Sequence, residues 1–315
     1  MSDKSISNIR KVDATALQEA VALLCAGELV ALPTETVYGL AARADSESAV
    51  AKIYRAKGRP DFNPLIVHVP SLEAAEQIAA FDDRARALAA SFWPGALTLV
   101  LPLKADAAIA PAVTAGLPTI ALRCPAHPVM RAVLAKTGLP LAAPSANRSG
   151  GVSPSTADHV AASLGVDVKL ILDGGAAQQG IESTIVIFRD TGWSLLRPGP
   201  ITASQIAEII GEENDVTASL SGIEAPGQLA SHYAPGKPVR LDALTAEADE
   251  FHIGFGAVAG EVTLTASGDL AEAAARLYTC LHLAAGAAQP RIAIAPVPHE
   301  GIGAAINDRL SRAAA

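Results

Sequence analysis

Apolar residues in this chain fall into short runs that empty into proline, glycine or hydroxyl clusters, separated by longer stretches of helical period. The runs at 29–32 (LVAL), 65–69 (LIVHV), within 92–103 (FWPGALTLVLPL), 119–128 (TIALRCPAHP), 139–143 (LPLAA), 168–175 (VKLILDGG) and 181–188 (IESTIVIF) read as buried strands. Residues 15–27 predict an amphipathic helix closed by Gly27. Residues 71–90 predict one helix capped by Ser71, with acidic residues in its first turn. Residues 211–238 are polar and rich in glycine and proline, a linker by composition. From 239 onward a compact β/α pattern follows, with strands at FHIGFG, VTLT and RIAIAPV and helices over 269–286 and 301–314. The pattern predicts an α/β chain in three parts: a large unit to about residue 210, the linker 211–238, and a small α/β unit over 239–315.

Residues 54–69, YRAKGRPDFNPLIVHV, carry the densest candidate chemistry. Arg55, Lys57 and Arg59 precede Pro60, and Pro64 follows a turn. Proline disfavours helix just before it, so KGRP reads as a helix end opening into a loop that feeds a strand. There, two positions apart, Lys57 and Arg59 can point the same way and face a polyanion such as a nucleotide triphosphate. A solvated, charged helix end is the competing reading.

Other strand ends present polar groups as ligand-binding α/β sheets do. The run 29–32 opens into Thr34-Glu35-Thr36, and Arg123 closes an apolar strand, where it must reach solvent or meet an anion. Ser145-Ala146-Asn147 and the following Ser-Gly-Gly and Ser153-Pro154 form a loop of small and hydroxyl residues that lets backbone approach a phosphate or ribose. It matches neither the P-loop nor the dinucleotide fingerprint. Asp173 and Glu182 have the residue types for an acid–base pair, but their spacing does not point to one and turn capping is the preferred reading. No nucleophile elbow or metal-ligand spacing occurs.

Composition narrows the class. Half of the 315 residues are hydrophobic and 18% are charged, enough for a sizeable core. Residues 1–200 hold 18 basic and 18 acidic residues, and residues 201–315 hold 6 and 14, so the net charge of −8 lies in the last third. That balance argues against non-specific nucleic-acid binding. Cys25, Cys124 and Cys280 give neither a disulfide framework nor a zinc pattern, and read as buried thiols in a reducing compartment. With no signal core and no long apolar span, the expectation is a soluble cytoplasmic protein.

Seven motifs in order, PTETVYGL, KGRPxxNPLIVHV, FWPGALT, TIALRCPAHP, PSANRSG, ESTIV and LRPG, resemble the YrdC-type threonylcarbamoyl-AMP synthases. GQLASHYAP and EGIGAAINDRL resemble the long form of that family, with its extra C-terminal domain. The resemblance implies a twisted open mixed sheet flanked by helices, plus a small Rossmann-like α/β domain. It also implies synthesis of threonylcarbamoyl-AMP and pyrophosphate from L-threonine, bicarbonate or CO2, and ATP with Mg2+. A partner system would pass the threonylcarbamoyl group to tRNA. Carried over by motif, Lys57 and Arg59 are the catalytic candidates. Arg59, Asn63, Thr119, Ser145, Asn147, Ser153, Arg197 and Tyr233 would hold ATP. Thr36, His68, Arg123, Ala143 and Ser183 would hold threonine. Glu182 and Thr34 are second choices for the site as a whole. No protein metal ligands are implied, because Mg2+ is expected to ride on the phosphates. Gln228 and Ser231 depart from the family's usual linker residues, methionine and a basic residue. The alternative is an RNA-binding or regulatory module on the same fold, although tight tRNA binding is not expected.

Overall fold

In the computed structural model, residues 8–189, 192–212, 224–228 and 231–315 are described, so parts of the expected linker, 213–223 and 229–230, lie outside the described residues. A large mixed sheet contains β1 (Ile9–Lys11), β2 (Val30–Leu32), β3 (Gly39–Arg43), β4 (Ile66–His68), β5 (Leu97–Pro102), β6 (Thr119–Arg123), β7 (Leu141–Ala142), β8 (Leu170–Asp173), β9 (Thr184–Arg189) and β10 (Gly192–Arg197). Its spatial order is β1-β8-β2-β3-β7-β4-β6-β5-β9-β10. A second sheet, all parallel, has the order β11 (Val239–Arg240), β14 (Arg291–Ile294), β12 (Glu250–Gly254), β13 (Val262–Thr263).

The large sheet is covered on one face by α2 (Glu47–Lys57), α3 (Leu72–Ile78), α4 (Asp83–Phe92), α5 (Pro111–Thr114), α7 (Ala157–Leu164) and α8 (Ala203–Ile210). On the other face lie α1 (Ala14–Cys25) and α6 (Pro128–Thr137). Side chains alternate across strands, so Ala31 joins the first core while Val30 and Leu32 join the second. Further along that second face, Ile66, Ala121, Ile185, Ile187 and Leu196 are covered by Ala225, in a described part of the linker that straps over the sheet. Period two then puts His68 on the face of Ile66 and Arg123 on that of Ala121, both towards this covering strap.

The small unit packs α9 (Leu270–Gly286) and α10 (Gly303–Ala313) on its sheet. Its core also takes in Val37, Val152 and Ile181 from the large unit, and Tyr233 from the strap.

Most expected elements are present. The expected helix over 71–90 is two. The chain there bridges to the end of β5: the Ala80 N–H bonds the Pro102 carbonyl and the Ile78 carbonyl accepts from the Lys104 N–H, setting Ala79 against Leu103. Asp82 then caps a new helix by accepting from the Ala85 N–H at 2.8 Å. Strands β1 and β3, absent from the reading of the sequence, also form: β1 pairs with β8, and β3 bridges β2 and β7. Cys124 and Cys280 are buried as expected, but Cys25 is exposed at the end of α1.

Candidate active site

Helix α2 ends where KGRP was expected to end it. Ser46 caps its start by accepting from the Ala49 N–H, and Gly58, in the left-handed conformation at φ 60°, stops it. Lys57 is therefore the last helical residue and Arg59 the first beyond the turn. The Lys57 ammonium turns inward, donating to the carbonyls of Ser145 (2.6 Å) and Asn147. It braces the Ser145–Asn147 loop from behind, leaving one of its three donors free. Arg59 donates to the Asn63 carbonyl (3.1 Å), the Asn63 side-chain oxygen (2.6 Å) and the Pro64 carbonyl (2.8 Å).

The ends of β2, β3, β4, β6, β7, β9 and β10 and the loops that adjoin them border a cavity lined by Thr36, Arg59, His68, Arg123, Ala143, Ser145, Glu182, Ser183, Arg197, His232 and Tyr233, among others. Only about 50 Å³ remains free, because Pro226, Gly227, His232 and Tyr233 of the strap close over it. Gly227 makes that closure possible. Its φ is 89°, and a side chain there would stand 2.9 Å from the Arg197 Cδ and 3.1 Å from the Tyr233 hydroxyl. The unusual strap residues have local jobs. The Gln228 side-chain oxygen accepts from the backbone N–H groups of Glu224 and Ala225, and the Ser231 hydroxyl donates to the carbonyl of Ala315.

At one end of the cavity, Arg123 meets its anion within the protein. It pairs with Glu35, donates to the Thr36 hydroxyl (2.9 Å) and the Gly95 carbonyl (3.1 Å), and leaves two N–H groups free. The other Glu35 oxygen accepts from the Ala126 and His127 N–H groups. Burial raises the Glu35 carboxyl, but the Arg123 charge and these hydrogen bonds prevail and hold it at about 2. His68, paired with Arg123 across β4 and β6, is pushed down to about 3, first by burial and then by that arginine. It stays neutral, and its Nδ1 has no protein partner.

The other end is cationic. Lys57, Arg59 and Arg197 are 2%, 9% and 4% exposed, and none forms a salt bridge among the described residues. Burial lowers the pKa of each, that of Arg59 to about 10. Arg197 spends its donors on the Ser183 carbonyl (3.0 Å), the Ser183 hydroxyl (3.1 Å) and the Pro226 carbonyl. The nearby carboxylate, Glu182, is engaged by Ser153, Tyr278 and Arg309. Burying a cation without an anion costs several kcal/mol. Buried polar atoms without partners gather here too: Asn63 Nδ2, Asn147 Oδ1, His232 Nδ1 and the Tyr233 hydroxyl. A cavity with unneutralised charge and unmet hydrogen bonds is built for an anionic, polar ligand.

The structure thus brings Thr36, Arg59, His68, Arg123, Ala143, Ser145, Ser183, Arg197 and Tyr233 to one cavity, with Thr34 and Glu182 on its wall. Lys57, Asn63, Asn147 and Ser153 stand behind that wall, bonded to residues in or beside it. Thr119 stands apart. It opens β6, and four residues of strand, about 13 Å, separate it from Arg123 at the other end.

Comparison with known proteins now decides the family. The Sua5/YciO/YrdC model, described as "Telomere recombination", matches residues 22–199, and the model "Threonylcarbamoyl-AMP synthase, C-terminal domain" matches residues 201–315. This chain belongs to the Sua5/YciO/YrdC family. Relatives in the family include the threonylcarbamoyl-AMP synthases of Bacillus subtilis, 48% identical over 71% of this chain, and of Pyrococcus abyssi, 42% identical over 74%. Those alignments span 66% and 70% of the relatives' own lengths. The solved structure of P. abyssi Sua5 complexed with L-threonine superposes with a TM-score of 0.87 at 34% identity, covering 97% of this chain and 96% of that one. A second P. abyssi Sua5 structure, of a variant with an adjacent histidine and tyrosine replaced by alanine, gives the same TM-score.

Three residues of this Sua5-type site escaped the sequence reading as site residues: Glu35, Tyr278 and Arg309. Glu35 was visible as the carboxylate of PTETVYG without a partner. Arg309 carried a fainter signal, a charge at apolar spacing among Ile306, Leu310 and Ala313 on the buried face of α10.

Proposed function

We propose that this chain is an L-threonylcarbamoyladenylate synthase, joining L-threonine, bicarbonate or CO2, and ATP into threonylcarbamoyl-AMP and pyrophosphate for tRNA modification. The observation that carries the reading is the pair of chemistries in one cavity, the buried cations Arg59 and Arg197 without carboxylates, backed by Lys57, beside an arginine already shared between a carboxylate and a hydroxyl. The first suits a triphosphate and the second a small amino acid.

Threonine sits at the Arg123 end. The two free Arg123 N–H groups take its carboxylate, the Thr36 and Ser183 hydroxyls and the Ala143 backbone surround it, and His68, held neutral, offers Nδ1 to its nitrogen. The amine adds to CO2 and loses a proton, giving a carbamate. A carbamate oxygen attacks the α-phosphorus, and the bond from that phosphorus to the bridging oxygen breaks, so pyrophosphate leaves with the electron pair. Arg59 and Arg197 meet the phosphates, with Asn63 aiming Arg59 and Lys57 setting the Ser145–Asn147 loop against them. Their charges are fixed before reaction, so they stabilise the departing anion without reorganisation. Among the described residues no group of three His, Cys, Asp or Glu is placed to hold a metal, and Glu35 and Glu182 are each tied to an arginine. This donor set suits a Mg2+ carried on the phosphates, where it would add charge neutralisation.

Tyr233 and His232 act as the lid, which excludes water from the carbamate and the adenylate. A separate transferase system would deliver the threonylcarbamoyl group to tRNA. This chain buries its candidate cations, so an RNA-gripping role finds no support. Three unpaired cysteines suit a reducing cytoplasm, and no described helix is long and apolar enough to cross a membrane.

The test is pyrophosphate release from ATP with Mg2+, with and without L-threonine and bicarbonate. Release that needs both co-substrates is the expected result. Release indifferent to threonine, or none from folded protein, would overturn the assignment.

A further inference from the structure

The two helices of the C-terminal unit reach one place in the large unit. Glu182, at the cavity wall, accepts from the Ser153 hydroxyl (2.5 Å) through one oxygen. Through the other it accepts from the Tyr278 hydroxyl (2.7 Å) of α9 and from Arg309 Nε (3.1 Å) of α10. Arg309 is fully buried and also donates to the Pro198 carbonyl at 2.7 Å, one residue from Arg197. Its guanidinium lies 5.6 Å from the Tyr233 ring centre, and Tyr278 stacks on that ring at 5.7 Å. Two further α9 side chains grip the same loop, His282 at the Ser153 carbonyl (3.1 Å) and Thr279 at the Ser155 hydroxyl (3.1 Å). Gly180 lets the large unit seat this closely, because a side chain there, at φ 69°, would stand 2.4 Å from the Ala274 carbonyl of α9.

Of the residues assigned to ATP, these contacts reach Ser153 and Tyr233 directly, or through Glu182, and Arg197 through its neighbour Pro198. At the threonine end, Arg123 takes its hydrogen-bond partners from the large unit alone. We infer that Arg309 and Tyr278 are positioning residues for the nucleotide half of the site, holding Glu182, and through it Ser153, in register with Arg197 beneath the Tyr233 lid. The inference rests on the nucleotide reading of that half. It makes the second unit part of the active site, acting on ATP and not on threonine.

The decisive variants are Tyr278→Phe, which keeps the ring and removes one hydroxyl, and Arg309→Lys, which keeps the charge and loses the fork. In the full chain we expect the KM for ATP to rise at least fivefold in the first and tenfold in the second, with the KM for threonine within twofold of wild type. Arg309→Met should be worse than the lysine variant, which counts as partial rescue. A merely structural role would lower the active fraction, and so kcat, and leave both KM values alone. Unchanged ATP KM in folded Tyr278→Phe, or equal rises for both substrates, would overturn the inference. Calorimetric titration of ATP into wild type and Tyr278→Phe needs no turnover. It therefore still decides the point if the synthase reading fails, and Tyr278→Phe answers alone if the arginine variants do not fold.

Discussion

Replacing Glu35 by glutamine should expose how the threonine end is held together. The substitution keeps the shape and removes the charge that faces Arg123. In the folded protein this carboxyl sits at about 2 instead of 4.5: burial is the largest single effect and raises it, but the Arg123 charge, its hydrogen bond and the backbone N–H groups together outweigh burial. At roughly 1.4 kcal/mol per pH unit, that difference is worth about 3 kcal/mol of folding stability. Glu35 is only 5% exposed, so solvent screening removes little of it. The sign is that of a depressed acid: the contribution is complete above pH 4.5 and is lost as pH falls from there towards 2. Other buried carboxylates, Glu182 among them, also weaken the fold in acid. The informative quantity is therefore the difference between wild type and Glu35→Gln, measured by urea unfolding at a series of pH values. We expect a gap of about 3 kcal/mol at pH 7 that closes as the pH drops below 4.5. A gap under about 1 kcal/mol, or one that does not narrow in acid, would refute the view that Glu35 is the anchor of Arg123.

Lys57→Ala and Arg59→Ala should each lose roughly 2–4 kcal/mol of transition-state stabilisation, read as a fall of about 30- to 1000-fold in kcat/KM for ATP; wild-type turnover in either would sink the phosphate assignment. Arg123→Lys, which keeps a partner for Glu35 but not the fork, should weaken apparent threonine affinity while leaving the KM for ATP unchanged, as steady-state kinetics would show. Tyr233→Phe removes a buried hydroxyl that has no partner. Thermal melting should then show stability unchanged or raised by about 1 kcal/mol, together with a higher KM for ATP, and a marked loss of stability would contradict the unpaired geometry.

The local devices were legible because each depends on neighbours in the chain. Gly58 and Pro60 end a helix by backbone geometry alone, so the exit of Lys57 and Arg59 into a loop follows from five residues. Apolar runs ending in Thr34-Glu35-Thr36, Arg123 and Ser145-Ala146-Asn147 marked strand ends that the fold gathers around one cavity. The motif order carried the family, and with it most of the cavity wall.

Only the tertiary structure decided who meets whom. Arg123 finds Glu35 across 88 positions, and Glu182 finds Arg309 across 127. Periodicity reports which side of an element is buried, never what lies opposite, so a carboxylate in a turn and an arginine on an apolar helix face remained unpaired on paper. The same limit hid the break between α3 and α4, where the chain at Ala79 and Ala80 bridges to the end of β5. It also turned Lys57 from an expected cavity cation into the brace of the Ser145–Asn147 loop, because two carbonyls of a distant strand end lie within reach of its ammonium.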